Sequence, residues 1–140
     1  MRFMVIVPGN EDTENGVMPT TEELAEMGKY NEELAAAGVM VDGNGLHPTS
    51  NSKKVVYSGG STNVFDGPFS ETKELIAGYW ILQTDTFEEC VEWVRKAPFG
   101  EGTEIVIRQV FEAEDFGDAM TSEIRDQEDR IREKIQQTQN

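Results

Sequence analysis

The sequence predicts an α+β fold: a ferredoxin-like βαββαβ layer with an inserted β-hairpin and an extra C-terminal helix. Three observations carry this expectation. Two capping-box patterns, Thr20-Thr21-Glu22-Glu23 and Thr86-Phe87-Glu88-Glu89, each open a segment with apolar residues at helical spacing. Short apolar runs closed by Gly or Pro flank both segments, which gives two strand–helix–strand halves. The run from Ile76 to Gln83 puts Ala77, Tyr79, Ile81 and Gln83 on one face and Gly78, Trp80 and Leu82 on the other.

The first element, Phe3 to Val7, is an apolar run ended by Pro8-Gly9 and reads as a buried strand rather than a signal peptide. A polar loop is expected from Asn10 to about Pro19. In the first helix Leu24, Met27, Asn31, Leu34 and Ala35 share a stripe, and Gly38 occupies the left-handed C-terminal cap position. Val39-Met40-Val41 is the second strand, followed by Gly43-Asn44-Gly45, read as a turn, and Leu46-His47-Pro48. Lys53 to Tyr57 and Thr62 to Phe65 flank Ser58-Gly59-Gly60-Ser61 and form a β-hairpin. Asp66-Gly67-Pro68-Phe69 is a turn by composition, followed by the strand from Ile76. Phe87, Cys90, Val91 and Val94 form the buried stripe of the second helix, which Pro98 stops; Thr103 to Phe111 is the last strand. Domain boundaries follow: residues 1–117 form the ferredoxin-like domain and 118–140 an amphipathic tail. Met120, Ile124, Ile131 and Ile135 make a thin apolar stripe in that tail, which packs on the domain, packs on a second subunit, or frays.

At 140 residues one domain is favoured, and such a chain buries roughly 70% of the surface exposed when unfolded. The 27 Asp and Glu against 12 Lys and Arg leave a net charge of −15, which disfavours phosphate backbones and anionic membranes as partners. Eight of the acids lie between Glu11 and Glu33 with one base, Lys29, a pattern that fits a solvated helix face. With one cysteine, Cys90, no intramolecular disulfide forms, and the cytoplasm is the expected compartment. No apolar run approaches the ~20 residues of a membrane helix.

Asp66-Gly67-Pro68-Phe69, continued by Ser70-Glu71-Thr72-Lys73-Glu74 and Gly78-Tyr79-Trp80-Ile81, resembles the DGPF group of YCII-related proteins. Ala37-Gly38-Val39, Gly45-Leu46-His47-Pro48, Trp93 and Arg108-Gln109-Val110-Phe111-Glu112 lie in the matching order, so the resemblance spans about Met1 to Gly117. It implies a ferredoxin-like subunit that pairs sheet to sheet as a dimeric α/β barrel, hence a homodimer. It also implies a histidine–aspartate pair as catalytic residues; Asp66 matches the aspartate and His47 is the candidate histidine. A genomic link to extracytoplasmic-function sigma factors belongs to the same resemblance.

His47 is the only histidine, the residue type that exchanges protons near neutrality. Paired with Asp66 it suits general acid–base work; alone it is a loop histidine bonded to backbone. Asp66 equally suits an Asx-turn, accepting backbone amides. Phe69, Tyr79 and Lys73 are candidate ligand-binding residues, against a core role for the aromatics and a solvated one for the lysine. One His and one Cys far apart give no zinc pattern, and no dinucleotide, P-loop or nucleophile-elbow motif occurs, so no cofactor or metal is expected. Three readings stand: an enzyme performing cofactor-independent acid–base chemistry on a small organic molecule, a non-catalytic module binding a small molecule or a protein, and a structural dimer.

Overall fold

A computed structural model describes residues 1–69 and 75–139. They form two units, Met1–Gln109 and Val110–Asn140.

In the first unit, β1 (Arg2–Pro8) is followed by a one-turn helix α1 (Glu11–Glu14) and by α2 (Thr21–Ala36). The loop expected from Asn10 to Pro19 therefore contains a helical turn. Asn10 caps it by accepting from the Thr13 amide at 2.9 Å, and Thr13 Oγ1 accepts from the Asn10 amide at 2.8 Å. The expected capping box of α2 is present: Thr20 Oγ1 accepts from the Glu23 amide at 3.1 Å, and Glu23 reaches back to the Thr20 amide at 3.5 Å. Gly38 (φ +72°) ends α2 in a Schellman arrangement, with the Val39 amide on the Leu34 carbonyl and the Gly38 amide on that of Ala35. The buried face of α2 is Tyr30 and Leu34, whereas Leu24, expected in the stripe, is 59% exposed. Tyr30 is tolerated there because its hydroxyl donates to the Trp93 carbonyl at 2.8 Å.

β2 (Met40–Gly45) contains Gly43-Asn44-Gly45, which the sequence reading took for a turn. These residues continue the strand and pair with Trp80, Tyr79 and Gly78. After a 3₁₀ turn at Thr49–Asn51 come β3 (Lys53–Ser58) and β4 (Ser61–Asp66), the expected hairpin, with Gly59 and Gly60 both at positive φ in a two-residue turn. β5 (Ile76–Gln83), α3 (Phe87–Arg95) and β6 (Val106–Gln109) complete the unit. β6 is shorter than the Thr103–Phe111 strand expected. Thr86 caps α3 by accepting from the Glu89 amide at 3.2 Å; Glu89 returns to the Asp85 amide, one residue before the place a full capping box requires.

The main sheet has the order β2-β5-β1-β6, every neighbour antiparallel, which is the ferredoxin-like arrangement. β3 and β4 form a separate two-stranded ribbon. Phe3, Val5, Trp80 and Leu82 face the helices and pack with Leu34, Tyr30 and Cys90. Each fully buried side chain of the size of Phe3, Leu34 or Leu82 contributes about 2 kcal/mol. Met4, Ile6, Tyr79 and Ile81 point to the opposite face and are only partly covered. The sheet is open: one chain does not close the barrel that the resemblance implies.

In the second unit, 3₁₀ turns at Ala113–Ala119 precede α4 (Ser122–Gln139), the helix expected from the Ile124, Ile131 and Ile135 spacing. Among the described residues no helix is long and apolar enough to cross a membrane.

Candidate functional site

The helix-facing side of the sheet lacks side chains at one end. Gly43 and Gly45, two apart on β2, share a face, and Gly45 pairs with Gly78 on β5. Packed layers stand about 10 Å apart, a gap that side chains ordinarily fill. Three glycines leave it partly empty, and a pocket of about 230 Å³ lies there, walled by Val7, Met27, Asn31, Trp80 and Phe99 and edged by Asn44, Ala77 and Tyr79. A dry apolar cavity of about 150 Å³ accommodates benzene, so this volume suits one substituted ring.

The pocket's polar chemistry is directional. The Trp80 indole Nε1 donates to Asn31 Oδ1 at 2.9 Å. An indole can only donate, so the amide oxygen of Asn31 must face it, which leaves the Asn31 NH₂ as a donor beside the pocket. Trp80 is itself held edge-on by Tyr30 and Phe99, with ring centroids 5.7 and 6.0 Å away. On the other face of the sheet a second polar group forms: Asn44 Nδ2 donates to Asp42 Oδ1 at 3.2 Å and to the Tyr79 hydroxyl at 3.1 Å, and that hydroxyl lies 3.4 Å from Asp42 Oδ2.

The pocket sits where β1 and β2 end and β5 begins; of the sequence-predicted site residues, His47 follows β2 and Phe69 follows β4. His47 lies two residues beyond Gly45, exposed; among the described residues its imidazole forms no hydrogen bond or ion pair. Asp66 closes β4, and its Oδ1 stands 2.5 Å from Lys53 Nζ, the residue opposite it across the hairpin. The carboxylate thus makes a cross-strand ion pair, and among the described residues no backbone amide donates to it. Both partners are mostly exposed, so the pair adds little stability. Phe69 is half-buried beneath Lys54 Nζ, 4.5 Å from its ring centroid. Its amide donates to Thr49 Oγ1 at 3.1 Å. Lys73 falls outside the described residues. Of the predicted residues that are described, Tyr79 alone lines the pocket.

Sequence reasoning missed Glu14, Thr49 and the role of Asn31. The Thr49 hydroxyl donates to Glu14 Oε2 at 2.6 Å and its amide to Glu14 Oε1 at 3.3 Å, so Thr49 joins α1, the loop after β2 and the Asp66–Phe69 turn. The turn approaches that loop so closely that a Cβ on Gly67 would collide with the Thr49 carbonyl, a direct reason for glycine in the motif. The period-two spacing of Gly43 and Gly45 was the signal available for the pocket.

Two titratable groups lie in the core. Burial pushes the Cys90 thiol up to about 11, and burial, with Cys90 and Glu33 adding to it, pushes the Tyr30 phenol up to about 12. Held protonated, the thiol is a poor nucleophile. Among the described residues no group of three or more His, Cys, Asp or Glu is placed to hold a metal.

Comparison with known proteins places this geometry in a family. The family model of the YCII-related domain matches residues 1–114. The uncharacterized protein R00369 of Rhizobium meliloti (strain 1021) is 36% identical over 50 residues, which are 36% of this chain and 40% of that protein, so the match spans under half of the relative. Among solved structures, 5-chloro-2-hydroxyhydroquinone dehydrochlorinase (TftG) from Burkholderia phenoliruptrix AC1100, in complex with 2,5-dihydroxybenzoquinone, is similar at a TM-score of 0.46 and 14% identity, over 80% of this chain and 95% of that one. With most of its length matched by the family model, the chain belongs to the YCII-related domain family.

Proposed function

We propose that this chain binds a small, single-ring organic molecule bearing an acceptor oxygen, in the pocket between α2 and the glycine face of the sheet, and that His47 exchanges a proton with it without a cofactor. The observation that carries the reading is the Asn31 amide: fixed by Trp80, it offers an NH₂ donor beside an otherwise apolar pocket of about 230 Å³. Apolar walls with few placed polar groups are the ordinary make-up of a small-molecule site. His47 supports the catalytic half, because it follows the pocket strand directly and its imidazole has no partner among the described residues. Asp66, the partner that the resemblance implies for this histidine, is ion-paired with Lys53 across the hairpin.

Gly45 supplies the test. A Cβ there meets nothing within 4 Å, and the backbone is not left-handed. Gly45→Leu therefore fills the pocket while keeping the strand. Ligand-observed NMR against a panel of single-ring hydroxy and keto compounds should find binders to the unaltered chain, lost in Gly45→Leu and kept in His47→Ala, with turnover of a binder lost in His47→Ala. Equal binding by Gly45→Leu, or no binder at all, would remove the pocket from consideration.

A second reading, binding without turnover, is favoured by the Lys53–Asp66 pair, which takes up the carboxylate expected to orient the imidazole. In that case His47→Ala changes nothing beyond affinity. Self-association through the open sheet face belongs with either reading, and the partly covered Met4, Ile6, Tyr79 and Ile81 support it. Light scattering at micromolar concentration should give twice the chain mass; a monomer there rules it out.

A further inference from the structure

Helices in proteins draw most of their stability from burying an amphipathic face, yet none of the described residues of α4 is buried. Ile124, Ile131 and Ile135 stand 42–49% exposed along one stripe. Charge along the helix is divided. Residues 122–129 hold four acids (Glu123, Asp126, Glu128, Asp129) against Arg125, and residues 130–139 hold three bases (Arg130, Arg132, Lys134) against Glu133. The sign changes between Asp129 and Arg130. That point is also the midpoint between Ile124 and Ile135.

The charge reversal and the pair Ile124 and Ile135 share one centre, so under a two-fold axis through it the helix matches itself in charge and at those two isoleucines, with Ile131 of one copy facing Glu128 of the other. Laid antiparallel, Ile124 of one copy meets Ile135 of the other, and each acidic half lies along a basic half. Laid parallel, like charges would be aligned throughout, which destabilises. The acidic half also borders a groove of about 690 Å³, lined among others by Phe111, Phe116, Ile124, Glu128 and Asp129. Its rim holds four acids, Glu112, Glu114, Glu128 and Asp129, against Arg125 and Arg132, an acidic excess that suits the half carrying Ile131, Ile135 and the three bases. We propose that α4 is a self-association surface, pairing antiparallel with α4 of a second copy of this chain.

The orientation is testable in the full chain. In this register residue 121 of one copy lies opposite residue 138 of the other, and both are threonines flanking the stripe. Thr121→Cys and Thr138→Cys are nearly isosteric, and native Cys90 has no exposed surface to interfere. Mixed and oxidised, the two variants should give mainly the 121–138 disulfide dimer. That product should disappear when Arg130→Glu, Arg132→Glu and Lys134→Glu are added to the Thr121→Cys chain. It should return when the Thr138→Cys partner then carries Glu123→Lys, Asp126→Lys and Glu128→Lys, a rescue that a merely unfolded helix would not show. A dominant 121–121 dimer, the absence of cross-linking, or cross-linking indifferent to the charge reversals would overturn the proposal.

Discussion

Replacing Gly43 and Gly45 separately by alanine should move stability in opposite directions, although the two lie two residues apart on the same strand face. A Cβ on Gly43 would sit 2.6 Å from Trp80 Cδ1 and 2.8 Å from Met40 Cε, where ordinary contact begins at 3.4 Å. The methionine end can swing away. The indole cannot, because Tyr30 and Phe99 flank it and Asn31 holds its Nε1. Displacing it by about 1 Å is an overpacking cost of about 1–3 kcal/mol. Weakening the Asn31 bond adds about 1 kcal/mol. The smaller conformational freedom of alanine returns about 0.5–1 kcal/mol. The net loss is about 2 kcal/mol, or about 6 °C in Tm for a chain of this size. Gly45→Ala meets no obstacle and keeps only the gain, about 0.5–1 kcal/mol. Thermal melts followed by near-ultraviolet circular dichroism and tryptophan fluorescence report both variants. If Gly43→Ala melts at or above Gly45→Ala, the indole is not seated on Gly43 and the account of the pocket wall fails.

Three further outcomes are expected. Thr49→Val removes the hydroxyl that joins Glu14 to Phe69; losing about 1.4 kcal/mol of local structure should speed exchange of the Phe69 amide about tenfold, and unchanged exchange would show that the three loops hold together without it. Thr20→Ala removes the α2 cap and should cost about 1 kcal/mol in urea denaturation, so an unchanged urea midpoint would mean the cap is dispensable. Burial raises Cys90 from 9.0 to about 11 and Tyr30 from 10.0 to about 12, so the folded chain keeps two protons that the unfolded chain releases. Their stabilisation is intact below pH 9 and lost as pH rises to 12, steepest between 10 and 11, where both groups are ionised only in the unfolded chain. The urea midpoint measured across that range should fall accordingly, and Cys90→Ala should delay the onset by about one pH unit; a flat midpoint would refute the burial argument.

Local signals were legible and distant ones were not. The Thr20–Glu23 box and the Gly38 cap are complete within a few residues, so the sequence displayed α2 and its end. The alternation in β5 likewise revealed both faces of the sheet. Tyr30 was missed because its burial depends on the Trp93 carbonyl, 63 residues away. Gly43-Asn44-Gly45 has the composition of a turn, and at Gly43 it is the Trp80 indole, arriving from another strand, that makes glycine the residue that fits. Asp66 has the local chemistry of an Asx-turn, and its ion pair with a lysine thirteen residues earlier, directly opposite in register, is a cross-strand contact the local sequence does not display. Tyr79 lines the pocket as one of the residues named from the sequence, while Asn31 was seen as one position in a helical stripe. What turns its amide donor toward the pocket is the orientation imposed by Trp80, a contact between elements 49 residues apart.

The three pocket glycines are not equivalent, and the difference separates packing from function. Each glycine in a strand gives up roughly 0.5–1 kcal/mol relative to alanine. At Gly43 the Trp80 indole accounts for it, and at Gly78 the Asn44 carbonyl does, 2.9 Å from where a Cβ would stand. At Gly45 no atom of the described residues, its two chain neighbours aside, lies within 4 Å of that place. A side chain there would add strand propensity and apolar contact with Met27 or Val7 across the pocket, so stability is available and unused. Positions of this kind are expected where a site must stay open. Gly45, more than the aromatic walls or the imidazole beyond it, is therefore the residue whose presence packing does not explain and an empty, ligand-sized space does.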